Sequence, residues 1–112
     1  MVVPSAGSVV LVPFPFSDLS RSKLRPTIVL ADAGRGDWIL CQVTSNPYAD
    51  PHAVSVTAAD FDTGSLRVTS YARPGKLFTA NSSLMVSEVG RLKSQSFARI
   101  LDAVVNLLEA SR

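Results

Sequence analysis

One change of hydrophobic period divides this sequence. Through most of the chain the apolar residues fall in short β-branched runs cut by Gly and Pro, and only near the C-terminus do they recur at helical spacing. Ser8-Val9-Val10-Leu11-Val12, bounded by Gly7 and Pro13, reads as a strand buried on both faces. Pro26 opens a second strand, Thr27-Ile28-Val29-Leu30, since a proline begins a strand more readily than it interrupts one. A turn from Asp32 to Asp37, with Gly34 and Gly36, leads into Trp38-Ile39-Leu40-Cys41-Gln42-Val43-Thr44, so these two strands read as a hairpin. Weaker strand signals follow at 53–56, 65–70 and 76–79, with a turn at 60–64. Strands this short and this closely spaced predict a mainly β fold, a small barrel. Phe97, Ile100, Leu101, Val104, Leu107 and Leu108 then define one face of an amphipathic helix that packs on it, with Ser94 or Ser96 as its N-cap.

With 112 residues there is room for one domain, and 46% hydrophobic against 18% charged residues makes it globular. Cys41 is alone, so no disulfide forms within the chain. No apolar run approaches the ~20 residues that span a bilayer, and the first residues do not resemble a signal peptide. A cytoplasmic domain without membrane contact is the expectation.

The net charge of +2, from 11 Lys/Arg against 9 Asp/Glu, says little about nucleic acid by itself. The basic residues are unevenly placed, however. Arg21, Lys23 and Arg25 form one group; Arg67, Arg73 and Lys76 form another. Brought together by folding they would make a phosphate site; kept apart they are solvated surface charges. The first group lies in or beside the segment Pro13 to Leu24, whose two prolines and three serines read as a long loop, a kind of segment that usually carries function.

Three segments, in order, carry a resemblance. They are Gly7-Ser8-Val9-Val10 followed by Phe14-Pro15-Phe16, then Arg25-Pro26-Thr27-Ile28-Val29-Leu30, then Val43-Thr44-Ser45 at a strand end. With Ser70-Tyr71-Ala72-Arg73 and the terminal helix, they make nearly the whole chain resemble the PemK/MazF family of toxins. That resemblance implies a single domain over 1–112, an SH3-like β-barrel with a C-terminal helix, and a homodimer. It implies a sequence-selective endoribonuclease acting on single-stranded RNA, chiefly mRNA, without metal or other cofactor. It also implies a cognate antitoxin, an acidic and partly disordered peptide that crosses the RNA groove, with DNA met only indirectly through the antitoxin complex. Some relatives of this fold poison DNA gyrase, so a non-catalytic toxin or regulatory barrel acting on a protein target is the alternative. Ser8 stands where the family usually has Asp, the first loop has no histidine, and Thr69 falls near a position that is acidic in certain members. These departures speak against a carboxylate-assisted scheme.

The residues themselves narrow the chemistry. A pair of histidines near neutrality is the familiar way to move the protons of RNA cleavage, but His52 is the sole histidine and lies in a loop. One Cys and one His give no metal-ligand spacing, and no Gly-rich phosphate loop precedes a helix. Arg25 is the better candidate, because its planar fork matches phosphate oxygens and stays charged. Without the resemblance it reads as a surface arginine at a strand start; with it, Arg25 is the electrostatic catalyst. Thr44 is either a turn-capping residue or its hydrogen-bonding partner, and a hydroxyl is too weak a base to act alone. The expected RNA-binding set is Phe16, Arg21, Lys23, Ser45, Asn46, Ser70 and Arg73, with Phe16 stacking on bases and the cations on phosphates.

Overall fold

Successive side chains of a strand point to opposite faces, and three consecutive strands here are apolar on both. A computed structural model describes residues 2–15, 22–47 and 49–112. Strands β1 (Ser8–Pro15), β2 (Ser22–Gly34) and β3 (Asp37–Thr44) lie side by side and antiparallel at the middle of the sheet. Val9, Ile28, Leu30, Cys41 and Val43 share one face with Ile100 and Val104 of the helix α1 (Ser94–Glu109). Val10, Val12, Val29 and Leu40 share the other with Ala80 and Met85, so the sheet has a core on each side. Cys41 is fully buried, and burial pushes its thiol up to about 12.

The remaining strands are β4 (Val54–Val56), β5 (Phe61–Gly64), β6 (Ser70–Asn81) and β7 (Ser87–Leu92). They complete a seven-stranded sheet in the order β4-β6-β3-β2-β1-β7-β5. Its two edge strands, β4 and β5, are consecutive in the chain, separated by Thr57 and a 3-10 turn at Ala58–Asp60. A flat sheet of this width would hold its edges roughly 29 Å apart, whereas that connection reaches at most about 18 Å. The sheet therefore curls into a half-barrel, as the strand spacing predicted, and α1 packs against it.

Several local expectations change. Pro26 lies inside β2, which starts at Ser22, and β1 runs on to Pro15, so the described ends of the predicted long loop, 13–15 and 22–24, pair as a two-stranded arm. The segment 60–64 ends in strand β5 rather than a turn, and 65–69 is a loop rather than a strand. Gly64 of β5 and its partner Gly90 of β7 serve close approach: a Cβ on Gly64 would collide with the Val89 carbonyl oxygen, and one on Gly90 would lie 2.6 Å from the Phe61 ring. The polar stretch Ser87–Leu92 carries no strand signal, yet becomes β7 because β1 and β5 both offer it a ladder. Strand β6 is continuous through Pro74 and Gly75, which occupy a bulge between Ala72 and Leu77.

Asp60 ties the closure together. Its carboxylate accepts from the Thr57 amide at 2.7 Å and the Ser96 hydroxyl at 2.8 Å, and pairs with Arg99 at 3.3 Å. Ser96 therefore serves this link rather than capping α1, whose N-cap is Lys93. Burial opposes the charge of Asp60, but these donors outweigh it and hold the carboxyl below the ordinary aspartate range. A carboxyl depressed in the folded state adds stability that is complete above its unfolded pKa of about 4 and is lost as pH falls through the folded value. Asp60→Asn should thus lose about 2 kcal/mol in urea unfolding at neutral pH. The deficit relative to the parent should shrink when the same titration is run well below pH 4.

Candidate functional site

Residues of an antiparallel strand turn their N–H and C=O alternately to one neighbour and then the other. Pro13, Pro15 and Pro26 pair with Leu24, Ser22 and Leu11. Lacking an N–H, each must occupy a rung that makes no hydrogen bonds across β1–β2. The cross-strand bonds then fall to Val12↔Arg25 and Phe14↔Lys23, and Pro26 faces the β3 side. There the β2–β3 ladder stops at Thr27↔Gln42, because Pro26 has no donor to extend it. Strand β3 continues beside β6 as far as Thr44↔Tyr71. The two strands part, and a groove opens between them.

This groove, of about 610 Å³, is lined by Lys23, Leu24, Arg25 and Pro26 on one wall and by Val43, Thr44, Ser45 and Ser70 on the other, with Leu66, Arg67 and Val68 from the loop before β6. Lys23, Arg25 and Arg67 bring three positive charges, and among the described residues no Asp or Glu lines the groove. The two basic groups of the sequence do meet, though only in part. Phe16 and Arg21 lie outside the described residues. Arg73 is turned elsewhere: its Nε donates to Asp50 Oδ2 at 3.0 Å. The His52 amide, and then Arg73, hold the Asp50 carboxyl below its usual range. Lys76 is exposed and does not line the groove. Arg67 belonged to the second basic group, but nothing in the sequence marks it, rather than its neighbours, as the member that reaches the cleft.

The hydroxyls are held in place by the backbone. Thr44, 6% exposed, donates from Oγ1 to the Asn46 carbonyl at 3.0 Å and accepts from the Asn46 amide at 3.1 Å. Its proton is thus committed to the turn, and one lone pair is left to accept. Ser70 Oγ donates to the Val68 carbonyl at 3.0 Å and braces the Arg67 loop. Ser45 is exposed at the groove, while Asn46 contributes the backbone of the turn. Ser8 and Thr69, which depart from the family pattern, do not line the groove; Ser8 is buried and its hydroxyl accepts from the Ser5 amide. Phe14 packs edge-to-face on Phe78, ring centroids 4.9 Å apart, beside a separate apolar hollow of about 350 Å³. His52 is exposed. Among the described residues no group of His, Cys, Asp and Glu side chains could hold a metal ion, and no helix is long and apolar enough to cross a membrane.

The strands parted by Pro26 thus carry a groove whose charged lining, among the described residues, is Lys23, Arg25 and Arg67, on a curled sheet backed by one helix. Residues 5–108 fit the model of the PemK-like, MazF-like toxin of type II toxin-antitoxin systems, and the chain belongs to that family. It is a toxin of a type II toxin-antitoxin system. Comparison with curated protein sequences returned no match. Solved structures share the fold at low identity. A MazE-MazF complex from Deinococcus radiodurans superposes with a TM-score of 0.77 at 22% identity, over 97% of this chain and 98% of that one. An endoribonuclease bound to its cognate antitoxin, from a mycobacterial species, gives 0.73 at 15% identity over 97% and 96%. The Mycobacterium tuberculosis toxin MazF-mt6 gives 0.70 at 15% identity over 91% and 96%.

Two substitutions probe this geometry. Pro26→Val restores the missing donor, so β2 and β3 should zip further: urea unfolding should show a gain of about 1 kcal/mol. The added rung should also appear as a newly protected amide in hydrogen exchange. Thr44→Val removes both bonds to Asn46 and should cost about 1–2 kcal/mol, read in the same titration.

Proposed function

We propose that this toxin is a metal-independent endoribonuclease that cuts single-stranded RNA by attack of a 2′-OH on the adjacent phosphorus. The observation that carries this reading is the groove itself, whose charged lining among the described residues is Lys23, Arg25 and Arg67. Such a lining favours a polyanion and, above all, the extra negative charge that develops on phosphorus. The new bond joins the 2′-oxygen to phosphorus and the bond to the 5′-oxygen breaks, leaving a 2′,3′-cyclic phosphate and a 5′-OH. Arg25 stabilises the phosphorane-like charge, with Lys23 and Arg67 holding the flanking phosphates. The remaining lone pair of Thr44 accepts from the attacking 2′-OH and orients it, rather than donating to phosphate. Proton transfer to the leaving oxygen runs through water or the substrate. Ser45, Ser70 and the Asn46 turn shape the wall against which the nucleotide rests.

A cognate antitoxin fits the same cleft. Two of the similar structures are toxin–antitoxin complexes, and an acidic, partly disordered segment would compete with RNA for the same cations. We assign the chain a homodimeric state on the strength of the family.

The test is cleavage of a long unstructured RNA in EDTA, with the cut ends mapped. Base-selective cuts ending in 2′,3′-cyclic phosphate, slowed at least about 100-fold by Arg25→Ala, are the expected result. Intact RNA alongside growth arrest in cells would transfer the toxin to a protein target.

A further inference from the structure

Strand β2 leaves an unfinished edge in the groove. Because Pro26 faces the side that β3 vacates, so does every second residue before it, and Leu24 and Ser22 direct their backbone N–H and C=O away from β1. No strand ladder among the described residues reaches Leu24 on that side. A strand edge presenting both donor and acceptor is a template for another strand. RNA phosphate offers acceptors only, so it would use the Leu24 N–H and be repelled by the carbonyl beside it. An extended peptide satisfies both.

The side chains along this edge sort by alternation. Lys23 and Arg25 fall on one face of β2, Leu24 and Pro26 on the other. Leu24 is 44% exposed, and Val68, which also lines the groove, is 59% exposed. A strand laid along this edge would therefore meet positive charge on one face and apolar surface on the other.

We infer that the groove receives its antitoxin segment as an added β-strand, hydrogen-bonded to the backbone of Leu24 and Ser22 and alternating acidic with apolar residues. Pro26 ends the pairing, because it has no N–H to offer the next rung. This rests on the groove being the antitoxin site and specifies how the peptide is held there.

The experiment uses the full chain and, as probe, a capped synthetic heptapeptide in which Glu and Val alternate, with amide hydrogen exchange followed by NMR. Binding should slow exchange at Leu24 at least about tenfold, while Lys23 and Arg25, whose amides already bond to β1, change little. Methylating the alternate peptide nitrogens that face β2 should weaken binding by about tenfold or more. Leu24→Pro removes the donor without touching the β1–β2 ladder, in the same register as Pro13 and Pro26, and should weaken the peptide similarly. A thermal melt checks that the variant is folded. Peptide that fails to bind, or binds while Leu24 exchanges as before, overturns the proposal. So does protection of Leu24 by a 2′-O-methyl RNA oligomer but not by the peptide, which would assign the edge to nucleic acid. A chain that protects Leu24 with the peptide yet leaves RNA uncut in EDTA supports the strand pairing and counts against the ribonuclease reading alone.

Discussion

A single missing hydrogen-bond donor organises the working face of this toxin. Pro26 sits where β2 would otherwise continue its ladder with β3, and without an N–H it cannot. The two strands diverge at that residue, β3 staying with β6 and β2 with β1. The cleft between them contains the residue just before the proline, Arg25, and the residues ending the other strand, Thr44 and Ser45. The same proline biases Arg25 toward extended backbone, which fixes the direction in which its side chain leaves the sheet. Opening the groove and aiming its central cation are thus two results of one ring.

The floor and far wall depend on a different constraint. Joining the two edge strands through so few residues forces the sheet to curl, and curling carries the loop with Leu66, Arg67 and Val68 round to the β2 arm. That closure needs Gly64 and Gly90, where a side chain would collide with Val89 or Phe61, and it needs the Asp60 carboxylate to bind Thr57, Ser96 and Arg99. Asp60 lies far from the chemistry in sequence, yet it links the strand crossing to the helix that backs the first core. Arg73 pairs with Asp50, and neither lines the groove, whose charged residues among those described are Lys23, Arg25 and Arg67.

Sequence by itself determined the fold class. The two-faced apolar runs at Val9/Val10, Ile28/Val29 and Leu40/Cys41 and the helical spacing from Phe97 to Val104 are local patterns, and there each element buries what its own pattern presents, whereas Leu108, on the same predicted helix face, is 63% exposed. The Arg25-Pro26 dipeptide and the Thr44-Ser45 strand end were legible too, each set by residues adjacent in the chain. Tertiary structure alone decided the rest. Strand β7 exists because β1 and β5 flank it, since Ser87–Leu92 has little intrinsic preference for a strand. Gly64 looks like a turn signal until a neighbouring strand is placed against it. Which cations share a groove, Arg67 rather than Arg73 or Lys76, and which hydroxyl protons are already committed, depend on partners distant in sequence, such as Asp50 for Arg73, and no local pattern encodes such pairings.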